Sequence, residues 1–216
     1  EQETMGGIEW NAISANSNGG TEQMGRELER RLPAALLDKF QIILSRFTSA
    51  DPSKIRILWC HDLPADPASA HLANGGWRTF HRIVFVSNWQ AQAYIGHYGI
   101  PWSRCVVMPN AIEPLAVDAD RFDPVPADQP IRLVYTSTPQ RGLTILHAVF
   151  EQICAERDDV VLDVFSSFKL YGWDDRDRPF QSLFEDLERN SRITYHGAVP
   201  NRRLREVLIE SHVLAY

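Results

Sequence analysis

What the sequence lacks narrows the possibilities first. It holds three cysteines, Cys60, Cys105 and Cys154, far apart and with no CxxC pair, which argues against a disulfide framework or a cysteine zinc site and for buried thiols in a cytoplasmic protein. Positive charge is in deficit. Twenty-two Lys and Arg stand against 28 Asp and Glu, a formal charge of −6, and a non-specific nucleic-acid binder would need a basic face instead. No apolar run approaches the ~20 residues of a membrane span, and nothing near the start reads as a secretory signal. The seven histidines make no HxH or HExxH pattern, so no metal site is expected from spacing. A Gly-x-Gly-x-x-Gly fingerprint and a P-loop are both missing, which counts against a dehydrogenase or an NTPase.

What is present is ordinary globular material: 44% apolar and 23% charged residues over 216 positions, enough for one large domain or two small ones. Short β-type runs alternate with amphipathic stretches, the pattern of an α/β protein with parallel sheets. Strands are expected at 8–14, 55–60, 82–87 and 105–108, a helix capped by Thr21 carrying Leu28, Leu32, Leu36 and Leu37, and another from Asn88 with Ala91, Tyr94, Ile95 and Tyr98 inward. Between Glu113 and Pro130 the texture changes. Four prolines and five acids face one arginine there, a linker composition. Alternation then resumes with strands at 131–135, 160–165, 192–195 and 212–216 and helices at 142–156, 180–189 and 201–210. Two domains follow, 1–127 and 128–216, with the last strand expected on the inside of its sheet.

Several segments carry chemistry. Gly19-Gly20 joins the first strand to a helix, where glycine admits close backbone approach and a helix N-terminus attracts anions; a plain tight turn reads equally well. Thr136-Ser137-Thr138-Pro-Gln-Arg141-Gly142 follows the first strand of the second domain and precedes a helix. Three hydroxyls, a guanidinium fork and a free helix N-terminus suit a diphosphate better than they suit a simple cap. His61 and Asp62 follow the strand 55–60, Asn110 follows 105–108, and Lys169 follows 160–165 as a second possible positive charge. Each has a bland alternative, packing for His61, a turn for Asn110 and a solvated surface for Lys169. The run Asp174-Asp-Arg-Asp-Arg178 reads as a solvated loop. His196-Gly197-Ala198-Val199 leads into a turn at Pro200, with a backbone suited to a flat base.

Taken in order, Gly19-Gly20, His61, Val86-Ser87-Asn88, Pro109-Asn110-Ala111-Ile112-Glu113, Arg141-Gly142-Leu143 and His196-Gly197 with Val199 resemble the retaining glycosyltransferases of family 4. That resemblance covers nearly the whole chain. It implies a GT-B fold, two Rossmann-like lobes with parallel sheets facing a cleft, the second lobe incomplete. It further implies retaining, metal-independent sugar transfer from a nucleotide diphosphate sugar to an unknown acceptor. Gly19, Gly20, Thr136, Ser137, Thr138, Arg141, Gly142 and Lys169 would hold the donor diphosphate. His61, Asp62 and Asn110 would line the sugar and acceptor side, His196, Gly197 and Val199 the base, and His61 and Arg141 would be the catalytic pair.

The sequence departs from the family's pattern in two places. The basic residue expected a few positions before Arg141 is replaced by Thr136, Ser137 and Thr138. The family's two glutamates separated by seven residues would begin just beyond Tyr216 and are not in the sequence. No carboxylate pair occupies matched strand ends, against a glycosidase mechanism. The remaining alternatives are a non-catalytic nucleotide-sugar-binding module and a sugar-nucleotide epimerase or hydrolase on the same fold. The donor nucleotide, UDP-, GDP- or ADP-linked, stays open. No cofactor is expected, and a homodimer would be one way to cover the last strand.

Overall fold

The computed structural model describes residues 7–10, 19–111, 125–126 and 128–216. The expected strand at 8–14 beyond residue 10, Ile112 and Glu113, and most of the proline-rich stretch lie outside them. The chain divides into two units, Glu1–Ile112 and Glu113–Tyr216.

In the first unit, strands β1 (Ile8–Glu9), β2 (Phe40–Leu44), β3 (Ile55–Cys60), β4 (Arg82–Phe85) and β5 (Cys105–Val107) form a parallel sheet in that spatial order. Its side chains alternate between two buried faces. Ile43, Leu58, Cys60, Ile83 and Phe85 pack with Leu72, Phe80, Ala91, Tyr94 and Ile100 on one side. Ile42, Leu44, Trp59 and Val84 pack with Met24 and Leu37 on the other. Burial on both faces explains why these strands read as near-continuous apolar runs.

Strand β2 was not foreseen, because Phe40-Gln-Ile-Ile-Leu44 follows a leucine-rich stretch with no turn signal between them. That stretch is not the single helix expected. It divides into α1 (Gly20–Arg31) and the short α2 (Ala34–Leu37). Pro33 lacks an N–H and drives Leu32 into extended backbone, so the helix cannot pass. Nor is Thr21 the cap: Gly19 holds that place, accepting from Gln23 N at 3.1 Å. Helix α3 (Asn88–Tyr98) is capped by the Ser87 hydroxyl and buries Ala91 and Tyr94, with Ile95 and Tyr98 partly buried against the same core.

The second unit places β6 (Ile131–Thr136), β7 (Val160–Phe165), β8 (Ile193–Tyr195) and β9 (Val213–Leu214) in a parallel sheet ordered β8-β7-β6-β9. Helices α4 (Leu143–Glu156) and α5 (Gln181–Arg189) cover one face through Leu143, Phe150, Phe184 and Leu187. Helix α6 (Asn201–Glu210) covers the other through Val207 against Val134 and Phe165. Strand β9 is not the inner strand expected. It pairs with β6 alone among the described residues, and Val213 and Leu214 are 47% and 59% exposed.

All three thiols are free, with Cys60 buried. Cys105 and Cys154 are half-buried rather than buried as expected, one opening the outer strand β5 and the other near the end of α4. No described helix is long and apolar enough to cross a membrane.

His71 sits in the first core between the rings of Phe47 and Phe80, its Nδ1 2.8 Å from the Ala68 carbonyl. Burial pushes its imidazole below the ordinary value of 6.5, and the same holds for His61. On acidification the unfolded chain takes up these protons first, so stability present above about pH 6.5 is lost as the pH falls below it. The urea midpoint should therefore drop between about pH 7.5 and about pH 5.5, and His71→Leu should flatten that drop. An unchanged slope in the variant would remove His71 as its source.

Candidate functional site

The strand order of the second sheet reverses at β6: β7 and β8 lie to one side of it, β9 to the other. In open parallel sheets, ligands gather at such a reversal, beyond the carboxyl ends of the strands. A pocket of about 380 Å³, its open mouth included, lies there. Thr136, Ser137 and Thr138 after β6, Phe165, Ser166 and Ser167 at and after β7, and Gly197, Ala198 and Val199 after β8 line it, with Leu170 and Leu204. Its lining carries no charged side chain.

Each wall is held from behind. The buried Tyr135 hydroxyl donates to the Thr138 carbonyl at 3.0 Å and the Arg141 carbonyl at 3.2 Å, folding the loop after β6 onto the sheet. Burial raises the pKa of this phenol, so it remains a donor. The loop after β7 is held by Asp177, whose buried carboxyl accepts from the Ser167 hydroxyl and from Phe168 N at 2.8 Å. The expected solvated charge run thus contains one structural carboxyl, because a sequence run of charges conceals which member faces inward. After β8, Gly197 takes φ +63, the left-handed region that favours glycine.

The remaining donor-side candidates stand outside this lining. Gly142 caps α4 at φ +93 without a side-chain cap hydrogen bond, and Leu143 N in the first turn is bonded to the Pro139 carbonyl at 3.3 Å. Arg141 beside it is exposed, with Nη1 3.4 Å from the Tyr216 hydroxyl. Lys169 is exposed in the short turn Phe168–Tyr171. The His196 ring turns back along the sheet, 2.7 Å from the Asp163 carboxyl and stacked on Phe165 at 4.2 Å. It therefore braces one wall of the pocket, while Gly197 and Val199 line it.

In the first unit the carboxyl end of β3 delivers His61. Ser45, directly after β2 at φ 60, accepts from His61 N at 2.9 Å and donates its own N–H to the Trp59 carbonyl at 2.9 Å. Both His61 ring nitrogens are buried and lack a well-formed hydrogen bond among the described residues. Burial holds the imidazole neutral, against the opposing pull of Asp62, the Trp59 backbone, Asn110 and Glu22. Asp62 is fastened through its carbonyl, which accepts from Gln90 Nε2 at 2.9 Å and the Tyr94 hydroxyl at 3.1 Å. Asn110 is exposed beyond β5; Gly19 is buried and Gly20 exposed at the start of α1. Sequence reasoning missed Glu22, a buried carboxyl in the first turn of α1, and Ser45. For Glu22, its place one residue after Thr21 at the helix start was the available signal; Ser45 had none.

No family model matches the sequence, and no curated protein matches it. Solved structures do. The glycosyltransferase from Rickettsia africae ESF-5 aligns with a TM-score of 0.52 at 15% identity, covering 94% of this chain and 57% of that one. TarM aligns at 0.47 and 12% identity, over 76% of this chain and 32% of TarM. The apo form of the lipopolysaccharide outer core galactosyltransferase WaaB aligns at 0.44 and 13%, over 74% and 42%. The chain thus spans about a third to under three-fifths of the length of these structures. The likeness to the rickettsial protein establishes the fold as α/β, with two Rossmann-like lobes of the GT-B kind.

Asp177→Ala leaves the Ser167 hydroxyl proton and the Phe168 N–H without an acceptor in a buried setting. The expected cost is about 1–3 kcal/mol of stability, read as a lowered urea midpoint. A midpoint equal to the parent's would show that this carboxyl does not hold the loop.

Proposed function

We propose that this chain carries the donor and acceptor lobes of a retaining, metal-independent glycosyltransferase that uses a nucleoside diphosphate sugar. The carrying observation is the uncharged pocket at the strand-order reversal of the second sheet, set beside the Arg141-Gly142 start of α4. An apolar, hydroxyl-edged pocket suits a nucleoside, and an arginine with a helix N-terminus suits the phosphates attached to it. The GT-B-like fold shared with the rickettsial glycosyltransferase is consistent with this reading.

On this reading Gly197, Ala198 and Val199 receive the base, and Thr136, Ser137 and Thr138 lead from it toward the diphosphate. Arg141, Gly142 and the first turn of α4 stabilise the negative charge that grows on the diphosphate as the sugar leaves. Lys169 adds positive charge at the same sheet end. In the first lobe, Gly19 and Gly20 offer the α1 N-terminus, while His61, Asp62 and Asn110 serve the sugar and acceptor. His61, kept neutral by burial, orients a hydroxyl rather than contributing charge. Retention follows when the acceptor enters on the face the diphosphate leaves, its proton passing to the departing phosphate. No protein nucleophile is required.

Release of free nucleotide from UDP-, GDP- and ADP-sugars tests the proposal, and inertness toward all three with no binding would end it. Arg141→Ala should weaken nucleoside diphosphate binding by about 10–100-fold, the worth of a charge-assisted hydrogen bond, and leave the bare nucleoside unaffected. Equal losses in calorimetric titrations of both ligands would contradict the phosphate role. His61→Ala should preserve nucleotide affinity and lower turnover roughly a hundredfold. If affinity falls along with turnover, the histidine is structural.

A further inference from the structure

Among the described residues, the lining of the pocket in the second unit includes one fully buried hydroxyl that the fold leaves without a partner. Ser166 is 2% exposed, lines the pocket, and has no hydrogen bond to its Oγ among the described residues. The adjacent hydroxyl is engaged. The Ser167 hydroxyl donates to the Asp177 carboxyl and accepts from Lys169 N at 3.0 Å. The backbone of Ser166 is itself anchored, its carbonyl accepting from the Tyr195 hydroxyl at 2.8 Å. A fixed backbone leaves χ1 as the only freedom of this side chain, and one rotation between staggered wells re-aims the hydroxyl. Buried hydroxyls are paired in nearly all native proteins, so an orphan one beside a pocket points to a ligand.

The chemistry of that ligand follows from the other walls. No charged side chain lines the pocket, which disfavours a phosphate there. Phe165, Leu170, Val199 and Leu204 offer apolar surface, which would strand the hydroxyls that ring a sugar. A heteroaromatic base has two apolar faces and a polar edge, matching apolar walls with a hydroxyl at one side.

We infer that the Ser166 hydroxyl is a specificity-determining contact, hydrogen-bonded to the polar edge of the donor's nucleobase. The inference rests on the reading of this pocket as the donor site. It has a consequence visible without ligand: the Ser166 hydroxyl contributes no protein–protein hydrogen bond to the fold, so its removal should not weaken the empty protein. A structural serine behaves in the opposite way, since its loss would break a bond already made.

Ser166→Ala and the parent protein are compared by thermal denaturation without ligand, and by calorimetric titration with UDP, GDP and ADP and with the matching bare nucleosides. The variant should melt at the parent's temperature or above it. It should bind the preferred nucleoside diphosphate about tenfold more weakly, the worth of one net hydrogen bond, with the same fold-loss for its nucleoside. Arg141→Ala, by contrast, should spare the nucleoside. A lower melting temperature in the empty variant would overturn the inference, as would unchanged nucleotide affinity or a loss confined to the diphosphate. Failure of the parent protein to bind any of the three nucleotides would instead refute the donor-site reading itself, and the inference with it.

Discussion

The hydroxyl of Tyr135 holds the geometry on which the second unit's site depends. It is buried at the end of β6 and reaches two carbonyls, those of Thr138 and Arg141, at opposite ends of one loop. Without that shared donor the Arg141 carbonyl would lose its partner and the Thr138 carbonyl would keep only the Arg141 N–H at 3.1 Å, at a cost near that of one lost hydrogen bond. With it, Thr136, Ser137 and Thr138 are pressed against the pocket while Arg141 and Gly142 are carried to the start of α4. One phenol thus divides a seven-residue segment into a neutral side and a cationic side.

The same division of labour recurs around the sheet end. Asp177 holds the loop after β7, His196 bolsters Phe165 from the sheet face, and Tyr195 fixes the backbone of Ser166. These supports come from residues 9 to 31 positions away in sequence. The groups that face the pocket are uncharged; the titratable groups stand behind them. In the first unit Ser45 plays the corresponding part for His61, taking a left-handed backbone to present its hydroxyl to the peptide N–H of the histidine.

Much of the fold was legible because parallel strands covered on both faces are apolar throughout and stop abruptly. The bounds of β7 and α6 agree with those expected from the sequence, and β6 and α4 differ by one residue at one end. The misreadings share a cause. Phe40–Leu44 continues a leucine-rich stretch, so periodicity alone joined what Pro33 separates. Site residues were legible where strand exits carry hydroxyls or glycine, as at Thr136 to Thr138 and at Gly197. They were illegible where the side chain's meaning depends on what lies across the fold. Asp177 looks like its charged neighbours, and Ser166 like any serine after a strand. Conversely, Arg141, Lys169 and His196 drew attention by their chemistry, although their side chains lie outside the pocket lining.

The two sheets also differ in how their strands find one another. In the first, every strand pairs with its immediate predecessor in the chain, so each newly added strand docks on one already in place. In the second, Arg132 next to β9's partner positions is bonded to His212, 80 residues later. Closing so long a loop carries an entropic penalty that must be met before the contact returns anything. The loops that form the pocket all precede β9. The second lobe can therefore build its ligand-facing end from β6, β7, β8 and α6 as the chain emerges, before the β6–β9 edge closes.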